Sequence, residues 1–345
     1  MIAVLAPGQG AQTPGMLAPW LELDGVAEQV ATFSELSGLD LARLGTTADA
    51  DEIRDSAVTQ PLIVAMGLIT AGQLQLGRMS EDHSERRRAR TAAIGSKVVL
   101  AGHSIGEVTA AAIAGALTPE QAISFAARRG AEMAAACAAT PTSMVAVVGG
   151  QADEVVAAIL DAGLTPANRN GSGQIVAAGS LEAIAALTAN PPPRARIRPL
   201  QVAGAFHTHY MSSAEQNLRT VAAQLTPADP SQTLLSNADG AVVSDGPTVL
   251  ARLVGQVTRP VRWDLCLDTM RDLGITGTVE LAPAGTLTGI ARRELPGIRL
   301  VAVKTPADLE SAQRLLAGEA TPEQDPPAAT SPSDPPVAQL ATGSS

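Results

Sequence analysis

No stretch constrains the fold of this chain more than residues 98–115, VVLAGHSIGEVTAAAIAG. An apolar, Val-rich run breaks at Gly102 and an Ala-rich helical pattern resumes at Glu107, which sets Ser104 on the turn between a strand and a helix. Gly102 and Gly106 stand two residues either side of Ser104, where a sharp turn brings backbone close to backbone. The pattern is that of a nucleophile elbow, a strained strand-to-helix turn that exposes a serine oxygen. The helix that follows aims its free N–H groups and the positive end of its dipole at that oxygen. The amide of Ile105 is the natural first donor to an oxyanion formed there.

The chain has 345 residues, of which 46% are hydrophobic, enough for a substantial core and for two domains or one domain with an insertion. A formal charge of −10 argues against a general nucleic-acid binder. The two cysteines, Cys137 and Cys266, lie in helical or apolar segments and are expected as buried free thiols. The first residues enter an apolar strand with neither a basic region nor an extended apolar one before it, and no later apolar run approaches a membrane span. A soluble, cytoplasmic protein without membrane insertion is expected.

Residues 2–6 read as a buried strand, and residues 7–12, PGQGAQ, as the turn that ends it, with Gln9 between two glycines that let its backbone approach a substrate. A dinucleotide site is rejected because the G-x-G-x-x-G spacing and a suitably placed acid are absent. Loose helical periodicity covers residues 20–44, acidic residues 51 and 52 open a helix, and a largely apolar helix is expected over 61–76 with Pro61 in its first turn. Residues 78–90, RMSEDHSERRRAR, read as a solvated charged loop. Thr118, Pro119 and Glu120 start a helix that runs to residue 139.

From residue 143 the rhythm changes to strands over 143–148, 164–168, 174–178 and 194–202, with helices over 152–162 and 181–187. That βαββαβ order predicts a ferredoxin-like small subdomain over residues 142–203. It is inserted into a hydrolase-like α/β parallel-sheet core made of residues 1–141 and 204–317. Within the returning part, residues 260–263 are expected to open a helix directly, and strands are expected over 234–237, 277–281 and 299–303. Residues 318–345 have no periodicity and few large apolar side chains, so a disordered tail is expected.

A serine hydroxyl needs a base, and the chain offers four histidines. His83 falls in the charged loop, and His103, next to Ser104 on a tight turn, is expected beneath the elbow. His207 and His209 remain, and His207 is favoured because it follows Gly204 and Ala205 at a strand end.

Together the segments GQGAQ (8–12), TQP (59–61), GHSIGE (102–107), RG (129–130), NRNG (168–171), GAFH (204–207) and PVRW (260–263) occur in the order found in malonyl-CoA:acyl carrier protein transacylases. The chain resembles that family over residues 1–305, and most resembles actinobacterial members of the dissociated fatty-acid synthase. Ile105, where Leu is frequent, and the tail depart from the pattern. The resemblance implies that Ser104 is the acylated nucleophile, His207 its base, and the Gln256 backbone carbonyl the group that orients the histidine. It implies that the Gln9 and Ile105 amides form the oxyanion hole, and that Arg129 grips the free carboxylate of malonyl, a two-pronged contact lysine cannot reproduce. Gln60 and Asn168 are expected to line or support the pocket, and Phe206 to crowd a branched acyl group. Malonyl-CoA and the phosphopantetheine thiol of holo-acyl carrier protein would be the substrates of a monomeric enzyme that needs no metal or redox cofactor. The same elbow and histidine would serve a serine esterase or thioesterase, and the same fold a polyketide-type acyltransferase or a non-catalytic scaffold; the inserted subdomain and Arg129 favour transfer.

Overall fold

The computed structural model describes residues 1–77, 98–171 and 173–319. At its centre β1 (Ile2–Ala6) lies parallel to β2 (Val98–Gly102) in exact step from Ile2 beside Val98 to Ala6 beside Gly102. Every residue of both strands is buried, which is why both read as unbroken apolar runs rather than alternating ones. Between them in sequence come α1 (Val26–Ser37), α2 (Leu41–Thr46) and α3 (Ser56–Gln73), and after them α4 (Gly106–Ile113) and α5 (Pro119–Ala139). The capping box of Thr118 and Gln121 opens α5 as the sequence predicts.

The chain then builds β3 (Thr142–Gly149), α6 (Ala152–Asp161), β4 (Thr165–Arg169), β5 (Gln174–Ser180), α7 (Leu181–Ala189) and β6 (Ala195–Pro199). Their spatial order is β6-β3-β5-β4 with antiparallel neighbours throughout, the split-βαβ arrangement expected from the strand and helix order. Val145, Val147, Ile175 and Ala177 on one sheet face meet Val155 and Ile159 of α6 and Ile184 and Leu187 of α7. Met144, Ala146, Val176 and Ala178, on the alternate positions, join the main core instead.

The remaining elements are α8 (Ser212–Ala222), β7 (Thr233–Leu235), β8 (Val242–Val243), α9 (Gly246–Gly255), β9 (Val261–Arg262), α10 (Trp263–Asp272), β10 (Gly277–Glu280), α11 (Thr286–Glu294), β11 (Arg299–Ala302) and α12 (Leu309–Ala317). They complete a six-stranded sheet of order β11-β10-β1-β2-β7-β8, parallel except for the β7–β8 pair. The result is the expected α/β class, with the carboxyl ends of β1 and β2 at the middle of the sheet.

Four details depart from the sequence reading. The helix expected to start at Pro61 begins at Ser56, because the Asp55 side chain caps it by accepting the Ala57 N–H; Pro61 sits inside and removes only one backbone donor. The acidic residues at 51 and 52 belong to a short 3-10 turn over Glu52–Arg54 rather than to a helix. Val261–Arg262 does not open a helix but forms a strand parallel to β4, a fifth strand lent by the large sheet's part of the chain. The periodicity over 20–44 resolves into a 3-10 turn and two helices, broken at Gly25 and Gly38 in the left-handed region. The expected charged loop over 78–90, with His83, and the tail from residue 320 lie outside the described residues. Among the described residues no helix is long and apolar enough to cross a membrane.

Candidate active site

The elbow is built as its glycines require. A Cβ on Gly102 would lie 2.0 Å from the Gly106 carbonyl carbon, and one on Gly106 would lie 2.2 Å from Ala6 O, so β1, β2 and the start of α4 touch backbone to backbone. Ser104 is held at φ +53°, a conformation few side-chain-bearing residues adopt. His207 is held similarly at φ +61°, in the loop that follows β6.

These two strained residues meet. Ser104 Oγ lies 2.8 Å from His207 Nε2, and His207 Nδ1 lies 2.7 Å from the Gln256 carbonyl oxygen. A carbonyl only accepts, so Nδ1 carries the proton and Nε2 presents its lone pair to the serine hydroxyl. Burial and, next, the nearby Arg129 charge push the His207 pKa down to about 3, against the opposing pull of the Gln256 carbonyl. The imidazole is therefore neutral and able to accept a proton at any ordinary pH.

Arg129 projects from α5 into the same place and is 1% exposed. Its Nη1 donates to Gln60 Oε1 at 2.6 Å and its Nη2 to Gln256 Oε1 at 2.9 Å, with Ser104 Oγ 3.4 Å from Nη2. Desolvation lowers its pKa to about 10, which leaves it cationic near neutrality. The adjacent Arg128 points outward to Glu132 at 2.9 Å, so the structure separates the two arginines cleanly. Gly130 makes the inward approach possible: a Cβ there would lie 2.4 Å from Ser56 O of α3.

Two amides near the elbow lack partners among the described residues. The Ser104 N–H donates to Asn237 Oδ1 at 2.8 Å and the His103 N–H to Ala6 O at 3.0 Å, whereas among the described residues the Gln9 and Ile105 N–H groups donate to nothing. Gln9 is steadied by its side chain, which bonds Ser56 Oγ at 3.2 Å, and its loop abuts the elbow, since a Cβ on Gly8 would lie 2.6 Å from His103 O. Free donors on the elbow and on the loop that abuts it are the groups a developing oxyanion requires.

Gln60 thus joins the site through Arg129. Asn168 is buried on β4, its backbone running between Val176 and Val261, and among the described residues its side chain makes no hydrogen bond to the elbow. Asn170, two residues on, is the one that reaches across, with its Oδ1 accepting from His103 Nε2 at 2.8 Å. His103 packs edge-on to Trp263 with ring centroids 5.6 Å apart, beneath the elbow as expected. His209 is exposed and outside the site, and Phe206 is buried in the main core immediately before His207. Cys137 and Cys266 are buried free thiols.

The site also has members that sequence reasoning left without a role. Asn237 is fully buried and uses both ends of its amide: Oδ1 accepts from Ser104 N and, at 3.1 Å, from Gln256 Nε2, while Nδ2 donates to Gly102 O at 2.8 Å. Glu107, in the first turn of α4, accepts from Gln256 Nε2. Burial pushes its carboxyl up to about 7 against the bonds it receives from residues 236, 237 and 256.

The family model for the acyl transferase domain matches residues 4–307. The malonyl CoA-acyl carrier protein transacylase of Mycobacterium tuberculosis is 52% identical over 315 residues, covering 91% of this chain and 100% of its own. The chain belongs to the malonyl-CoA:acyl carrier protein transacylase family. The crystal structure of MCAT from M. tuberculosis superposes with a TM-score of 0.84 at 51% identity, covering 91% of this chain and 99% of that one. A malonyl-transacylase solved in complex with its type II PKS acyl carrier protein gives 0.78 at 27% identity, covering 91% and 99%. For a transacylase of this family, the chemistry the arrangement allows is acyl transfer through a serine ester.

Proposed function

We propose that the chain transfers the malonyl group from malonyl-CoA to the phosphopantetheine thiol of acyl carrier protein, supplying fatty-acid chain elongation. The observation that carries this reading is the convergence on one serine oxygen of a neutral imidazole at 2.8 Å and a buried guanidinium at 3.4 Å. A hydrolase needs the first; an enzyme for an acyl group with a free carboxylate needs both.

In the acylation step His207 Nε2 takes the Ser104 proton as Oγ attacks the thioester carbonyl, and the C=O pair moves onto oxygen, where the Gln9 and Ile105 amides receive it. Collapse expels the CoA sulfur, which leaves as a thiol with the proton from His207. The carrier's thiol then repeats the sequence in reverse on the malonyl-serine ester, a ping-pong route. No oxidation state changes, so no redox cofactor is called for, and the imidazole and the amide donors carry the proton and the oxyanion charge. The Gln256 carbonyl keeps the His207 proton on Nδ1 throughout. Arg129 offers two N–H groups to the carboxylate, with Gln60 and Gln256 holding the guanidinium meanwhile. Phe206, buried immediately before His207, restricts space at the α-carbon of the acyl group.

We further propose that residues 142–203 act as a separate small subdomain over the cleft, that the enzyme is a cytoplasmic monomer, and that malonyl-CoA and holo-carrier are its partners. The test is Arg129→Ala assayed in parallel with malonyl-CoA and acetyl-CoA, with Arg128→Ala as control. Each charge-assisted hydrogen bond in a dry pocket is worth roughly 1.5 to 3 kcal/mol, so malonyl transfer should fall about a hundredfold or more while acetyl transfer changes far less. Equal losses for both thioesters, or a larger selective loss in Arg128→Ala, would refute the carboxylate clamp.

A further inference from the structure

Behind Arg129 a row of buried groups runs through Gln256 to Glu107 and Asn237, the last two of which the transfer steps leave unused. Arg129 Nη2 donates to Gln256 Oε1, the same amide's Nε2 donates to Glu107 Oε2, and that oxygen also accepts the Asn237 backbone N–H at 3.3 Å. Glu107, Arg129, Gln256 and Asn237 are each 5% exposed or less. Among the described residues no carboxylate forms an ion pair with Arg129. A buried cation without a counter-ion is strongly disfavoured. Glu107 is the acid whose charge counters the desolvation of Arg129, across a single side-chain amide.

We propose that Glu107 is a positioning residue that serves as the resident counter-ion of Arg129 in the empty pocket and so sets how strongly the pocket takes an acyl group bearing a free carboxylate. The inference rests on the clamp role of Arg129. When the substrate carboxylate reaches Arg129, two anions share one cation, and the deeper one takes up a proton. Glu107 is poised for this, since burial already holds it at about 7. The other charged and titratable groups around it do not substitute. The Arg252 guanidinium, paired with Asp239, favours the ionised form of Glu107; the Cys266 thiol is pushed far above its usual range; and His207 is neutral.

Glu107→Gln keeps an acceptor for Gln256 Nε2 and deletes the charge. At about pH 8 its KM for malonyl-CoA should fall by up to about tenfold, the cost at that pH of protonating a carboxyl held at about 7, and the KM for acetyl-CoA should change far less. The wild-type KM for malonyl-CoA should rise from about pH 6 to about pH 8, and that of Glu107→Gln should not. A malonyl KM with unaltered size and pH slope, or equal changes for both thioesters, would overturn the proposal. A second measurement leaves Glu107 in place: Ser104→Ala protein titrated calorimetrically at about pH 7 in two buffers of different ionisation enthalpy. Malonyl-CoA should draw more protons into the complex than acetyl-CoA, whose CoA phosphates titrate identically; equal proton counts contradict the counter-ion. Arg129→Ala separates the two layers. Equal loss of both thioesters there removes the clamp itself, whereas a selective malonyl loss beside a silent Glu107→Gln removes only the counter-ion.

Discussion

The elbow region and the segment from β3 to β6, proposed as a small subdomain, are held by different forces. Around Ser104, segments far apart in sequence converge through polar groups: Gln60, Glu107, Arg129, Asn237 and Gln256 bond one another while fully or almost fully buried. Among its described residues the subdomain has no buried charged side chain; it is a β3–β5 ladder from Thr142 beside Ser180 to Val148 beside Gln174, closed by an apolar cluster. Buried polar networks contribute direction and little net stability, whereas apolar burial contributes stability and little direction. Substitution of the reacting Ser104–His207 pair should therefore change rate more than stability, and substitution in the apolar cluster the reverse.

The largest effect expected is that of His207→Ala. General-base assistance is worth roughly a hundred- to ten-thousandfold, so acylation measured by CoA release should slow by that much while the thermal midpoint moves little. A collapse in the midpoint would break the contrast by making the polar region structural. Ile159→Ala, in a side chain with no exposure that packs the subdomain core, is the opposite case. It should cost roughly 2–5 kcal/mol in chemical denaturation, with turnover per folded molecule nearly retained. A rate loss without a stability loss would show the subdomain core to be part of the catalytic geometry.

The smallest effect concerns acid. The base must be neutral, and burial with the Arg129 charge holds His207 at about 3. Below the ordinary histidine range, then, kcat/KM for acetyl-CoA should stay flat far into acid rather than fall near pH 6.5. For malonyl-CoA the KM should itself respond to pH, through Glu107. An acid limb centred near the unperturbed histidine value for acetyl-CoA would mean that the pocket is wetter than its burial implies.

Much of this was legible before any coordinates. Gly102 and Gly106 mark the elbow because a side chain at either would overlap backbone, and Arg129 separates from Arg128 because only the former precedes a glycine in a close helix contact. The βαββαβ order reads directly from periodicity, and its apolar alternation fixes the faces. Other features depend on tertiary partners that leave no local trace. Val261–Arg262 is a strand only because β4 lies beside it. Asn237 looks like an ordinary turn residue until Ser104, Gly102 and Gln256 surround it. Asn170, rather than Asn168, reaches His103, a choice that depends on where β4 ends. The amphipathic α12, with Ala312, Leu315 and Leu316 inward, was too short to stand out after β11.

The central claim is that Ser104 carries the acyl group between two thiols, and intact-protein mass measures it directly. Protein mixed with malonyl-CoA should gain one malonyl group, lose it on addition of holo-acyl carrier protein, and transfer it to the carrier's thiol; Ser104→Ala protein should gain nothing. A malonyl adduct of normal yield on Ser104→Ala protein, or an adduct on the unaltered protein that water removes as fast as the carrier does, would contradict the account.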